Sequence, residues 1–214
     1  MTCCNSGLEE MFSEDVSRKD AEKFRRRGLP RRARKLVAAI ESAVPLKGKR
    51  TLEIGVGVGA VTIEMLRRGA ASATGVDAVA SQLEQARVLA AEKGVADRLE
   101  LVLSEFTATS QIAKADVVVL DRVVCCYPDW KSLLGAAAAH ARSGIALTYP
   151  RRKWWVIFLW RLTDVWLRVM RNNFKLFIHS PRDMHALLAA HGFEPRVVGT
   201  YYWWEIAVAA RPAQ

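Results

Sequence analysis

Residues 51–59 read Thr-Leu-Glu-Ile-Gly-Val-Gly-Val-Gly, and no other stretch restricts the fold as much. A short apolar strand runs into three alternating glycines and then directly into a helical pattern from Ala60. Gly55, Gly57 and Gly59 let the backbone approach a ligand closely, because no Cβ stands in the way. The helix that follows turns its unpaired N–H groups toward the same place. Asp77 closes the next strand, 22 residues beyond Gly55. A carboxylate at that distance is placed to accept hydrogen bonds from a ribose diol. Such a chain is built to hold a nucleoside-containing cofactor.

The surrounding pattern alternates. Strands are expected over Arg50–Ile54, Ser72–Val76, Leu99–Leu103, Ala115–Leu120 and Gly144–Thr148, with helices over Ala60–Arg68, Val79–Lys93 and Trp130–His140. Strands alternating with helices imply a mostly parallel sheet covered on both faces, a Rossmann-like doubly wound α/β fold. Ahead of it, 8–27 reads as one charged helical segment. Gly28-Leu29-Pro30 breaks it, and 31–44 forms an amphipathic helix with Leu36, Val37, Ile40 and Val44 at helical spacing. Ser180-Pro181 starts a helix that Gly192 stops. Val197–Gly199 and Tyr202–Ala209 read as an antiparallel hairpin at the sheet edge. The organisation is an N-terminal helical cap over 1–45 and one domain over 46–214, with 151–178 a hydrophobic and basic lid-like insertion.

The glycines alone leave two cofactors open, since Gly55, Gly57 and Ala60 also fit a dinucleotide fingerprint. Three features favour S-adenosylmethionine. Glu53 lies where a dinucleotide strand is usually apolar, and a carboxylate there needs an ammonium group or backbone amides as partner. Ser104-Glu105-Phe106 ends a strand with a carboxylate and an aromatic face, suited to an adenine amine and ring. The run Ala115–Leu120 opens into Asp121-Arg122-Val123-Val124-Cys125-Cys126-Tyr127-Pro128-Asp129.

That order of elements resembles the class I S-adenosylmethionine-dependent methyltransferases, well over about 33–150 and loosely beyond. Glu53, Gly55, Gly57 and Gly59 match the family's first motif and Asp77 its ribose-binding acid. Glu105 stands where an aspartate commonly touches the adenine, and Asp121–Asp129 looks like the loop facing the methyl donor. The resemblance implies cofactor contacts at Ala78, Phe106, Asp121 and Val123 as well. Cys125-Cys126 departs from the pattern, replacing a histidine and a bulky residue often found there, and leaves the acceptor chemistry open. In-line displacement from a sulfonium needs alignment more than a base. Where one is needed, Asp121, Tyr127 and His179 are the candidate catalytic residues, His179 being the best general base of the four histidines. Tyr149 and Tyr201 are further pocket hydroxyls. N-terminal helices of such proteins tend to fold over the cofactor, which casts Phe24 or the arginines at 25–27 as its closure.

Charge narrows the partners. Residues 1–50 carry 13 Lys/Arg against 7 Asp/Glu, 51–150 carry 9 against 11, and 151–214 carry 10 against 4, for a net +10. A near-neutral middle with basic ends leaves an anionic small molecule, a nucleic acid, a membrane surface or a merely solvated surface open. An Asn/Asp-Pro-Pro-Tyr/Phe motif is missing after the fourth strand, which counts against one class of nucleic-acid enzyme. Arg151, Arg152 and Lys153 lead into an apolar helix whose Arg161, Asp164 and Arg168 share a stripe. This helix suits a lid, a dimer seam, packing beneath the domain or peripheral membrane contact. The expected activity is methyl transfer to a small, partly hydrophobic acceptor, with a tetrapyrrole as a narrower option. The alternatives are an RNA methyltransferase and a non-catalytic S-adenosylmethionine-binding scaffold. Cys3-Cys4 and Cys125-Cys126 show no secretory disulfide framework, and no metal site is expected. Without an apolar signal core or an apolar run of about 18 residues, the reading is of a cytoplasmic protein whose oligomeric state is open.

Overall fold

A computed structural model describes residues 7–108, 112–170 and 174–212, so Cys3-Cys4 lies outside the described residues. Three helices lead: α1 (Leu8–Met11), α2 (Glu14–Arg27) and α3 (Arg31–Ala43). Then follow β1 (Arg50–Ile54), α4 (Ala60–Arg67), β2 (Ser72–Asp77), α5 (Ala80–Glu92), β3 (Leu99–Leu103) and β4 (Ala115–Asp121). The remainder comprises α6 (Trp130–His140), β5 (Ala141–Pro150), α7 (Trp154–Val169), α8 (Pro181–Ala190), β6 (Glu194–Tyr201) and β7 (Trp204–Ala210).

The strands form one sheet in the order β3-β2-β1-β4-β5-β7-β6. β1 through β5 pair in parallel, and β7 runs antiparallel to both β5 and β6. The Rossmann-like sheet with its antiparallel C-terminal hairpin is therefore as the alternation implied. Chain direction across the sheet reverses between β1 and β4, which is where open α/β sheets bind ligands.

Alternate side chains of the central strands feed two cores. Val117 and Val119 of β4 and Ile206 and Val208 of β7 pack with α3, α4 and α5. Val118, Leu120, Ile145 and Leu147 point the other way, toward Leu133 and Leu134 of α6 and Met184 and Leu188 of α8. Continuous apolar runs such as Val117–Leu120 are what two-sided burial requires.

Several boundaries differ from expectation. The segment 8–27 is two helices, because Ser13 is extended and the Phe12 carbonyl accepts a bond from Ser81 Oγ (3.1 Å). Ser17 Oγ lies 2.9 Å from the same Ser81 Oγ and ties α2 to the start of α5. Phe24 is buried in the core, and Arg25 forms a two-pronged pair with Glu92 at the far end of α5. Phe24 and Arg25 therefore sit away from the strand ends where ligands bind, and it is Phe12 and Ser17 that meet the start of α5, at Ser81. Residues 174–178 form an extended link, anchored where Phe177 N–H donates to the Cys125 carbonyl (2.7 Å). The hairpin turn falls at Tyr202-Trp203, with Tyr202 at φ 52°.

Gly75 of β2 sits under the glycine bend, where an added Cβ would come within 2.8 Å of Val56 Cγ2 and 3.1 Å of Leu101 Cδ2. Val56 is itself buried, so it has little room to yield. Gly75→Ala is expected to destabilise the protein by about 1–3 kcal/mol in denaturant unfolding, the usual cost of overpacking.

Candidate active site

The bend after β1 is left-handed at each glycine: Gly55, Gly57 and Gly59 have φ of 68°, 55° and 78°. Asp77, at the tip of β2, binds it in place. Its carboxylate accepts from Gly57 N–H (2.8 Å) and from Val79 N–H (3.0 Å), the latter capping the turn into α5. Burial raises the Asp77 pKa, and the amide bonds oppose it. A Cβ on Gly57 would meet only Gln82 Oε1, at 3.5 Å, so the space over this glycine is open. Two carboxylate oxygens keep acceptor capacity beyond two amides. The bend and Asp77 thus fit a ligand with a vicinal diol.

Glu53 is completely enclosed and faces Thr62 on α4, accepting from its N–H (2.9 Å) and its hydroxyl. The expected partner for this carboxylate is therefore the first turn of α4. Burial pushes its pKa up to about 8, with Asp121 and Asp77 adding to the rise and the Thr62 bonds opposing it.

Asp121 closes β4 and accepts from Thr148 Oγ1 (2.6 Å) and from Arg32, with which it forms a buried ion pair. Thr148 also accepts from Arg122 N–H (2.9 Å), where the chain turns through φ 64°. Arg32 lies over the ring of Trp204, 5.7 Å from its centroid. Burial pulls the Arg32 pKa down, yet guanidinium starts high enough to stay charged. Sequence reasoning missed Arg32, Thr148 and Trp204. Arg32 had a signal: it falls on the stripe of Leu36 and Ile40, a charge on the buried face of α3.

A Cβ on Gly55 would collide with Val123, so the loop after β4 rests on the bend. In that loop Cys125 and Cys126 are not disulfide-bonded, and their sulfurs lie 3.9 Å apart. Cys126 and burial push the Cys125 thiol up, while Cys125 holds the Cys126 thiol down. His179 clasps the loop. Its Nε2 lies 3.1 Å from the Val124 carbonyl and 2.9 Å from that of Tyr127, so this nitrogen is the donor. Its ring stacks on Phe177 and packs against Trp130. Burial lowers the His179 pKa.

The site residues expected from sequence divide accordingly. Gly55, Gly57, Gly59, Asp77 and Val123 gather at the bend, and Ala78 lies between Asp77 and the capped turn. Glu105 is half-buried just beyond β3, where Thr107 Oγ1 donates to it (3.3 Å). The Phe106 ring is committed to the core against His140 and offers no aromatic face. His179 meets the backbone of Tyr127, whereas the Asp121 carboxylate faces Arg32 and Thr148. Tyr149 is enclosed too, its hydroxyl bonded to His185 Nε2 (2.8 Å), so it is a core residue. Among the described residues no group of three or more His, Cys, Asp or Glu could hold a metal ion.

A glycine bend, a facing acid and a loop resting on both, at the switch point of a doubly wound sheet, define a nucleoside-binding α/β protein. Residues 24–197 match the model of the methyltransferase domain family. The chain belongs to that family, within the class I S-adenosylmethionine-dependent methyltransferases, and the dinucleotide alternative is set aside. Over 100 residues it is 36% identical to the ubiquinone biosynthesis O-methyltransferase of Neisseria meningitidis serogroup C, across 46% of this chain and 42% of that protein. Over 74 residues it is 42% identical to the ribosomal protein L11 methyltransferase of Enterobacter sp. (strain 638), across 35% of this chain and 25% of that one. The chain thus spans less than half the length of these curated relatives. The crystal structure of magnesium protoporphyrin IX methyltransferase from Synechocystis PCC 6803 with bound SAH shares the fold. Its TM-score is 0.69 at 19% identity, over 85% of this chain and 82% of that one.

Two outcomes test the electrostatics. An unfolded glutamate titrates near about 4.3, so between there and the native value of about 8 only the native state holds the Glu53 proton. Raising the pH through this window removes stability, by at most about 1.4 kcal/mol per unit. Unfolding of the donor-free protein at several pH values is expected to show that slope, and Glu53→Gln to flatten it. Arg32→Met leaves Asp121 buried without its cation and is expected to cost about 3–5 kcal/mol in the same assay. Adding Asp121→Asn should recover part of that loss.

Proposed function

We propose that this chain transfers a methyl group from S-adenosylmethionine to a small, partly hydrophobic acceptor. The observation that carries the reading is the Asp77 carboxylate, held by Gly57 N–H at the open side of the glycine bend. Asp77 would take the ribose diol, with the amides at Gly57 and Gly59 beneath the ligand's tail. Ala78 and Glu105 would meet the adenine side. Val123 would face the donor, Asp121 would act from behind the loop by holding Arg32 and Thr148, and Glu53 would act through Thr62 by holding the first turn of α4. The donor brings its methyl group already activated on a positively charged sulfur, so displacement in line with that bond asks the protein mainly for alignment and exclusion of water.

Tyr127 and His179 are the groups proposed for the acceptor side. With His179 Nε2–H given to two carbonyls, Nδ1 is the ring atom left to receive an acceptor proton. Burial favours the neutral imidazole that such a role needs. The likeness to a ubiquinone biosynthesis O-methyltransferase supports oxygen as the methylated atom.

Calorimetry with S-adenosylhomocysteine tests the donor half, and binding by the wild-type chain is expected. Asp77→Ala should weaken it about 10- to 100-fold, the worth of charge-assisted bonds to a diol. No binding by the wild-type chain would overturn the proposal. For the acceptor half, label from the methyl group should pass to hydroxylated aromatic compounds. Transfer to RNA alone, falling steeply with salt, would replace the small-molecule reading.

A further inference from the structure

The exposed side of α7 has no cover. Trp154, Phe158, Leu162, Val165, Trp166 and Val169 lie along one face, with Trp154 80% and Trp166 60% exposed. The opposite face is seated on the protein through Val156, Leu167 and Trp160, the last packed against Trp203 and Trp204. An apolar face this long is outside the ordinary scatter of exposed hydrophobics on a monomer. Its charged neighbours are basic: Arg152 and Lys153 are exposed just before the helix, and Arg161 is exposed beside the face. Asp164, the one acid in α7, is half-buried.

We infer that α7 docks this protein on the surface of an anionic lipid bilayer, its apolar face in the acyl boundary and its basic residues among the headgroups. Charge selects this occupant. A second copy would bring another chain of net +10, with the same basic residues, against the same face. An anionic leaflet supplies the opposite sign, at a spacing that adapts to each arginine and lysine. The aromatic residues fit as well. Trp154 opens the face and Trp166 lies near its far end, and indole rings favour the boundary between headgroup and hydrocarbon. The helix lies on the bilayer and does not cross it, for no helix among the described residues is long and apolar enough to span. α7 follows directly on β5, whose C-terminal end carries Thr148, so the docked face belongs to the side of the sheet that holds the site. The inference needs no particular acceptor.

Sedimentation with vesicles tests it on the full chain. The wild-type protein is expected to pellet with vesicles of phosphatidylcholine and phosphatidylglycerol, and far less with phosphatidylcholine alone. Phe158→Glu with Trp166→Glu, both at exposed positions, should weaken pelleting about tenfold or more while S-adenosylhomocysteine binding stays unchanged. Brominated acyl chains should quench wild-type tryptophan fluorescence, a reading that needs no variant. The inference is overturned if the wild-type chain stays in solution with the anionic vesicles, or if the variant pellets equally well. It is also overturned if ultracentrifugation shows a dimer that the variant dissolves, since the face would then belong to a second copy.

Discussion

The bend after β1 is fastened to the tip of β2 by its amides, Gly57 N–H to the Asp77 carboxylate and Gly55 and Val56 N–H to the Val76 carbonyl, and the site is assembled outward from there. Gly75 makes room below for Val56, so the bend can settle onto the sheet. Gly55 lets Val123 come down on top, which sets the height of the loop after β4. That loop is then gripped at its other end by His179 and by the Phe177 amide. The bend and the loop after β4 are thereby coupled through backbone and tightly packed apolar atoms. A shift at the bend would be felt at residues 123–127 because interiors packed at this density do not absorb displacements.

The same neighbourhood gathers three carboxyl groups that the fold deals with in different ways. Both aspartates add to the upward pull on the Glu53 proton, which the native state keeps up to a pH of about 8. Asp121 has the Arg32 cation against it. Asp77 is the one of the three placed at the open side of the bend, and the choice of donor rests on family membership.

Much of this was legible in the residues. Both ends of β1 and β3, and of α6, fall where periodicity and turn residues put them, with Gly55 closing β1 and Pro128 and the Asp129 cap opening α6. The glycine bend and Asp77 were legible because backbone geometry admits few residue types there. What escaped was set by tertiary contact. Asp121 was read as facing a ligand, and its ion pair with Arg32 joins residues 89 positions apart. Phe106 was read as an aromatic platform, and the core claimed its ring. β6 is longer than its short apolar kernel because, as the outer strand with Glu194, Arg196 and Thr200 exposed, it shows little alternation to read.

The basic ends of the chain, alike in net charge, differ in what the fold makes of them. In the N-terminal half several arginines meet carboxylates: Arg18 pairs with Asp15, Arg25 with Glu92, Arg32 with Asp121, and Arg68 with both Glu41 and Glu64. Arg26, Arg27, Arg31 and Arg34 are exposed, on and beside helices α2 and α3 whose large apolar residues are covered. Arg152, Lys153 and Arg161 instead stand exposed next to an apolar helix face. Cations beside exposed indole and aliphatic groups suit a partner that is anionic at its surface and apolar beneath it. A phosphate backbone answers the charge but not the hydrocarbon, and a folded protein core answers the hydrocarbon but not the charge.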